Sequence, residues 1–381
     1  MKLFHKRFLR PETRRVCLLA LILLLAIPGC GKRMKLPTNI PRWTTGAPDT
    51  TYVPVGEGWT GAGGIPFDRP QDVHVGLDGH VYIADTGNHR IVELDQAGDL
   101  VAQYEGVKEP RSVSQDPLLR LLAVGGNTIY IKPPEKQTFD SLYTGADIYD
   151  SIMVPRPDTL IDTIIISPDS IEIDTIMGLI DTVYFVDTVT TNYTAIAPDP
   201  RPVAGYGMYF VCDSTRDEIS RFLLIGSDTL YEMGAAVPSG YRLSSTHGPT
   251  GVFTYLRGDK FRLLFCQVLY YYSVQLLDGE TLAPLIAQTE SSHIYWQDTI
   301  GLAQDVAVDE FENILVVDTE RSQVHKFSPN GVSILTFGKE GTGQTEFKNP
   351  LGIAYANRIL YVADTGNNRI LRFVLSTDLP Q

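Results

Sequence analysis

Three residues carry the chemistry that a site in this chain would need: Asp72 and His74 in the segment PQDVHV, and Asp305 in the segment AQDVAV. Two carboxylates and an imidazole brought to one place could hold a cation such as calcium or zinc. Their spacing matches no metal-ligand motif, so what they can do depends on the elements that position them. Beyond the basic N-terminal stretch the histidines are His74, His80, His89, His247, His293 and His325. Only His74 and His247 precede or join a strand that opens a repeat, whereas a catalytic zinc usually takes three protein ligands. The sequence contains no G-x-S-x-G or H-E-x-x-H motif and no phosphate-binding glycine loop. The glycines between residues 56 and 64 lie between strands and open no helix, which argues against a nucleotide site.

The elements that would place these residues are legible as a repeat. VYIADTGNHRI, Val81 to Ile91, returns as LYVADTGNNRI, Leu360 to Ile370, with eight of eleven positions identical. Alternating Tyr, Ile and Val make a strand, Asp-Thr-Gly-Asn a tight turn, and Arg-Ile the start of a second strand. Further copies are YFVCDSTRDEI (Tyr209 to Ile219) and ILVVDTERSQV (Ile314 to Val324). Weaker ones are LLAVGGNTIYI (Leu121 to Ile131) and FRLLFCQVLYYYSVQLL (Phe261 to Leu277). A strand precedes each pair and a fourth usually follows, so the period is that of propeller blades. In this register Asp72, Ser112, Gly251, Asp305 and Gly352 open the innermost strands of blades one, two, four, five and six. Asp72 and Asp305 then stand near the channel mouth, with His74 on the same side as Asp72.

The repeated segments resemble NHL repeats, the family whose blades open on a proline-led strand and carry a D-x-x-N-x-R-I hairpin. The resemblance implies an all-β, six-bladed β-propeller of four-stranded antiparallel blades spanning residues 51–375. Its motif residues are Asp85, Asn88, Arg90, Asp213, Asp318, Asp364, Asn367 and Arg369. They read as structural, since they recur from blade to blade: the Asp accepts hydrogen bonds in its turn, Gly87 or Asn88 supplies a positive φ, and the Arg pairs with a carboxylate. After blade six only a tail, residues 376–381, remains. Tyr52 to Val55 is therefore expected to supply the outer strand of blade six and close the ring, removing two sheet edges. The family includes a lyase that holds zinc through histidines from several blades, and similar propellers include metal-dependent lactonases. It also includes ubiquitin ligases, but the RING those require cannot be built from the cysteines available here.

Residues 1–29 follow a secretory pattern, with six basic residues, an apolar run from Val16 to Ile27, and Ile27-Pro28-Gly29-Cys30. The last four resemble a bacterial lipobox, which makes Cys30 the lipid-bearing residue. Residues 30–50 read as anchor and flexible tether. Losing residues 1–29 removes six basic residues and one acidic one and takes the formal charge from −13 to −18. So acidic a surface argues against nucleic acid, and leaves the lipid as the sole membrane contact. Cys212 and Cys266 sit in apolar runs and read as buried thiols.

One segment, residues 134–199, departs from the repeat. It is rich in Asp, Thr and Ile, has no Lys or Arg from Pro157 to Pro200, and reads as a β-hairpin insertion between blades two and three, with a seventh, diverged blade as the alternative. Together these features point to a lipid-anchored protein of the bacterial envelope. In a Gram-negative cell it would sit on the outer membrane, facing the periplasm or the surface. It would bind or scaffold a protein or small ligand and need no cofactor. A metal-dependent lyase or lactonase at the channel is the alternative, with catalysis disfavoured because no catalytic set converges.

Overall fold

The computed structural model describes residues 50–145, 191–201, 206–226, 229–268, 271–296 and 298–378, with the backbone of four short strands between residues 148 and 189. The signal, Cys30 and the tether up to residue 49 lie outside the described residues.

Six antiparallel sheets form the ring, each begun by its innermost strand. Blade one comprises Pro70–Val75, Val81–Asp85, Arg90–Leu94 and Leu100–Glu105. Blade two comprises Pro110–Gln115, Leu121–Gly125, Thr128–Lys132 and Asp140–Thr144. Blade three comprises Tyr193–Pro198, Tyr206–Asp213, Glu218–Ile225 and Thr229–Val237, and blade five Ala303–Val308, Ile314–Asp318, Gln323–Phe327 and Ser333–Phe337. Each inner strand packs against that of the next blade, and the last, Gly352–Ala356, returns to Pro70–Val75. The second strands of blades one, two and five are buried along their whole length, as Val81–Asp85 and Ile314–Asp318 show, because both faces of a blade meet a neighbour. Continuous apolar runs are what such two-sided burial selects. The core is accordingly divided among six clusters, one per seam. Val73, Ile83 and Val92 of blade one, for instance, pack on Tyr361 and Ile370 of blade six.

Closure occurs as the N-terminal sequence implies. Tyr52–Pro54 pairs antiparallel with the third strand of blade six, Arg369–Leu375, in the register Tyr52 to Leu375. The pairing is extended by Val55 N–H to the Arg372 carbonyl at 2.8 Å and by Trp59 with Ile370. Blade four has three strands, Pro249–Arg257, Lys260–Gln267 and Val274–Asp278. In place of a fourth, residues 283–285 run beside it: Asp278 N–H donates to the Ala283 carbonyl and Leu285 N–H to that of Leu276, both at 2.9 Å. Pro284 has no N–H to continue the ladder.

Both ends of the segment 134–199 belong to the ring, as the outer strand of blade two and the inner strand of blade three. The excursion between them narrows to residues 146–190. Within it Ile148–Tyr149 pairs antiparallel with Thr188–Val189, as in a hairpin, whereas Ile164–Ile166 pairs in parallel with Val183–Phe185. These are two-stranded ladders, and the ring has six blades.

Candidate functional site

The channel is shaped by one recurring irregularity. Each inner strand of blades one to five slips register one residue after it begins: Pro70 faces Asp85, yet Asp72 faces Ala84. Going round the ring, the residues after the slip are Asp72, Ser112, Ala195, Gly251 and Asp305, and Gly352 opens the blade six strand without one; Asp72, Ser112, Ala195 and Asp305 line the channel cavities. Ala195 fills the place that the sequence left open, because the blade three strand opens with Tyr193 and not with proline.

Each acid links two blades. Asp72 Oδ1 accepts the N–H of Val73 at 2.7 Å and its Oδ2 that of Val113 in blade two at 2.8 Å. Asp305 repeats this with Val306 at 2.8 Å and Ile353 in blade six at 2.9 Å. The preceding blade makes room in both cases. A Cβ on Gly352 would lie 2.7 Å from the Asp72 Cα, and one on Gly251 would lie 2.9 Å from the Asp305 Cα.

Asp72, Ser112 and Asp305 form a waist shared by two cavities. The larger, about 220 Å³, has apolar walls that include Val75, Val113, Ile196, Val252, Phe253 and Ile353, with His74 and Gln115 as polar members. The smaller, about 170 Å³, is lined by Gln71, Arg111, Thr194, Thr250 and Gln304. Burial pushes the Asp305 carboxyl well up, and the neighbouring Asp72 charge pushes it further. Burial also raises Asp72, to about 6, against the hydrogen bonds from Val113, Ser112 and Val73 that hold it down. His74 is pushed down to about 4 by burial, only partly offset by the charge of Asp78. The waist is thus two acids that retain protons more readily than usual, beside a neutral imidazole. A cation placed there would compete with main-chain N–H groups for every carboxylate oxygen. His74 is the only histidine lining either cavity among the described residues.

The motif residues lie away from the waist. Asp85 Oδ2 accepts Arg90 Nε at 2.7 Å and Asn88 Nδ2 at 2.9 Å, and its Oδ1 accepts the Asp68 N–H at 2.8 Å. Asp364, Asn367 and Arg369 repeat these contacts in blade six. The positive φ expected at Gly87 or Asn88 falls instead on the next residue, His89, and likewise on Asn368. Gly87 serves close approach: its N–H donates to the Asp68 carbonyl, and a Cβ would sit 2.1 Å from Asp68 Oδ2. In blade five Gln323 takes the Arg place, and His325 reaches Asp318 Oδ2 at 3.2 Å. In blade three Asp213 Oδ2 is buried without a hydrogen-bond partner, and Arg216 Nε stands 3.7 Å away.

The Thr of the motif has a role that sequence reasoning missed. Thr86, Thr319 and Thr365 each donate to the carbonyl of the proline that opens the next blade, Pro110, Pro350 and Pro70, at 2.5 to 2.6 Å. The signal was the proline-led strand following each Asp-Thr pair. Cys212 and Cys266 are both buried, free thiols.

The fold and the repeated turn define the class: a closed β-propeller of six blades. The chain carries NHL repeats, with the family matching at residues 67–94 and 347–373, which are blade one and blade six on either side of the closing seam. No curated protein matches the chain in sequence. Among solved structures, a luciferin-regenerating enzyme superposes with a TM-score of 0.50 at 11% identity, over 85% of this chain and 95% of that one. A protein of unknown function from Bacteroides thetaiotaomicron gives 0.50 at 12% identity, over 87% and 73%. Virginiamycin B lyase from Staphylococcus aureus gives 0.44 at 10% identity, over 80% and 79%. At such identities the likeness extends to the fold alone.

Proposed function

We propose that this is a binding protein of the bacterial envelope, held to the membrane by an acyl chain on Cys30, whose propeller channel takes a small ligand. The observation that supports this reading is the cavity of about 220 Å³ above the Asp72 and Asp305 waist, apolar in its walls and acidic at its floor. Concave, mainly apolar sites with a few converging polar groups are where small molecules bind. The ligand that fits is a compact apolar molecule presenting a cationic or hydrogen-bond-donating group to the acids.

The test is thermal denaturation of the purified protein against a panel of small amines and alcohols with apolar bodies, run alongside fractionation of producing cells. Binders should raise Tm for the wild type and not for Thr254→Trp, which fills the cavity. Cys30→Ser should move the protein from the membrane to the soluble fraction. A panel without stabilisers, or stabilisation that survives Thr254→Trp, would overturn the channel site. Membrane retention of Cys30→Ser would overturn the anchor.

A further inference from the structure

A second group of ligating side chains lies outside the channel, on blade one. Asp78 is in the turn after the inner strand, His80 immediately precedes the second strand, and Glu93 is on the third. One ligand atom from each of the three lies within 4.8 Å of the others. His80 Nδ1 is 2.5 Å from Glu93 Oε1. The carboxylates are oriented from outside. Asp78 Oδ2 accepts Tyr82 Oη at 2.6 Å and Gln115 Nε2 at 2.8 Å, and Glu93 Oε2 accepts the Tyr104 hydroxyl. Those donors leave Glu93 Oε1 on the imidazole, and Asp78 Oδ1 with a single contact, to the main-chain N–H of His80. The Glu93 side chain is 9% exposed and that of His80 36%, so the cluster has a buried floor and an open side. The ammonium of Lys132, 4.6 Å from the Tyr104 ring centroid, is the one cation behind this floor among the described residues. Two carboxylates and an imidazole therefore converge on one open-sided position, with a single lysine behind them.

We propose that Asp78, His80 and Glu93 form a zinc site. One imidazole nitrogen and two carboxylate oxygens suit a borderline divalent cation, with water from the open side as fourth ligand. Calcium prefers six to eight oxygens and is disfavoured by the imidazole. The ion takes the position of the proton between His80 Nδ1 and Glu93 Oε1. Any proton that His80 Nδ1 carries toward Glu93 passes to Nε2 or to water as the ion binds. Tyr82, Gln115 and Tyr104 act as the outer hydrogen-bond partners that metal-bound carboxylates require. The site is independent of the channel reading.

Isothermal titration of the detergent-solubilised full chain with zinc chloride tests this. The wild type should bind one zinc per chain. His80→Gln and Asp78→Asn should each weaken binding by at least about tenfold, a loss typical even of outer partners. His293→Ala, at a half-buried histidine elsewhere, should bind as the wild type does. Cobalt substitution supplies a readout that needs no variant: the wild type should show visible ligand-field absorption that zinc abolishes. Failure of the wild type to bind zinc, or unchanged affinity in both His80→Gln and Asp78→Asn, would overturn the site.

Discussion

Asp72 and Asp305 each join their own strand to the next blade, so the groups that give the channel its acidity also tie its wall together. Burial raises both carboxyls above their ordinary range. A raised folded value means that the native protein takes up protons more readily than the unfolded chain. The stability these two groups contribute is therefore fully present below the unfolded carboxylate value near pH 4, and is lost as pH rises through the folded value, about 6 for Asp72. Asp305→Asn tests this. Its amide can accept only one of the two N–H groups, from Val306 and Ile353, so the variant should be less stable in acid by about 1–3 kcal/mol. That deficit should shrink toward pH 7, where the wild type bears the cost of a buried charge and the variant does not. Urea unfolding from pH 4 to 7 measures the gap, and a constant gap would mean that Asp305 titrates alike in folded and unfolded chains.

At the scale of the element, what could be read from the sequence was whatever a strand or turn satisfies locally. Blades one and six were plain because Asp85 finds Asn88 and Arg90 within five residues, and Asp364 finds Asn367 and Arg369. Blade five hid its partner, since His325 occupies the strand position two residues past the expected Arg. The inner strand of blade three was hidden because Tyr193, fully buried, replaces the opening proline. At the channel the two acids and the glycines Gly251 and Gly352 were legible by period, but not that the glycines make way for the acids, because they meet Asp305 and Asp72 only across a seam between blades. Closure was legible from the missing last strand, and its energetics rest on Tyr52. That side chain is 3% exposed, its ring centroid is 5.0 Å from that of Phe337, and its hydroxyl is buried without a partner. Tyr52→Ala should cost about 3–5 kcal/mol, as other buried aromatic truncations do. Tyr52→Phe should be neutral or stabilising, because it removes an unsatisfied polar atom. Urea denaturation of both variants checks the order, and a large loss in Tyr52→Phe would show that the hydroxyl is bonded.

For the molecule as a whole, the question is whether the acidic excursion belongs to the folding unit or is carried by it. Its ends answer geometrically. A Cβ on Gly145 would lie 2.6 Å from the Thr191 Cβ, so the chain leaves and re-enters the ring at one point. The flanking main chain is already bonded within the ring: Gly145 N–H donates to the Asn127 carbonyl at 2.7 Å, and Tyr193 N–H to that of Gly126 at 2.8 Å. Replacing residues 146–190 with a short Gly-Ser link should therefore leave the ring intact. It should also remove the entropy cost of closing a long loop, which grows only as the logarithm of its length. Tm of the shortened protein should stay within about 5 °C of the wild type, a shift corresponding to roughly 1–2 kcal/mol. Because no residue between Pro117 and Ile196 lines the larger cavity, ligand stabilisation there should survive the deletion. Capture of a protein partner from envelope extracts should not survive it if the excursion is the contact surface. A fall of Tm by tens of degrees would place residues 146–190 inside the cooperative core and refute the division between ring and excursion.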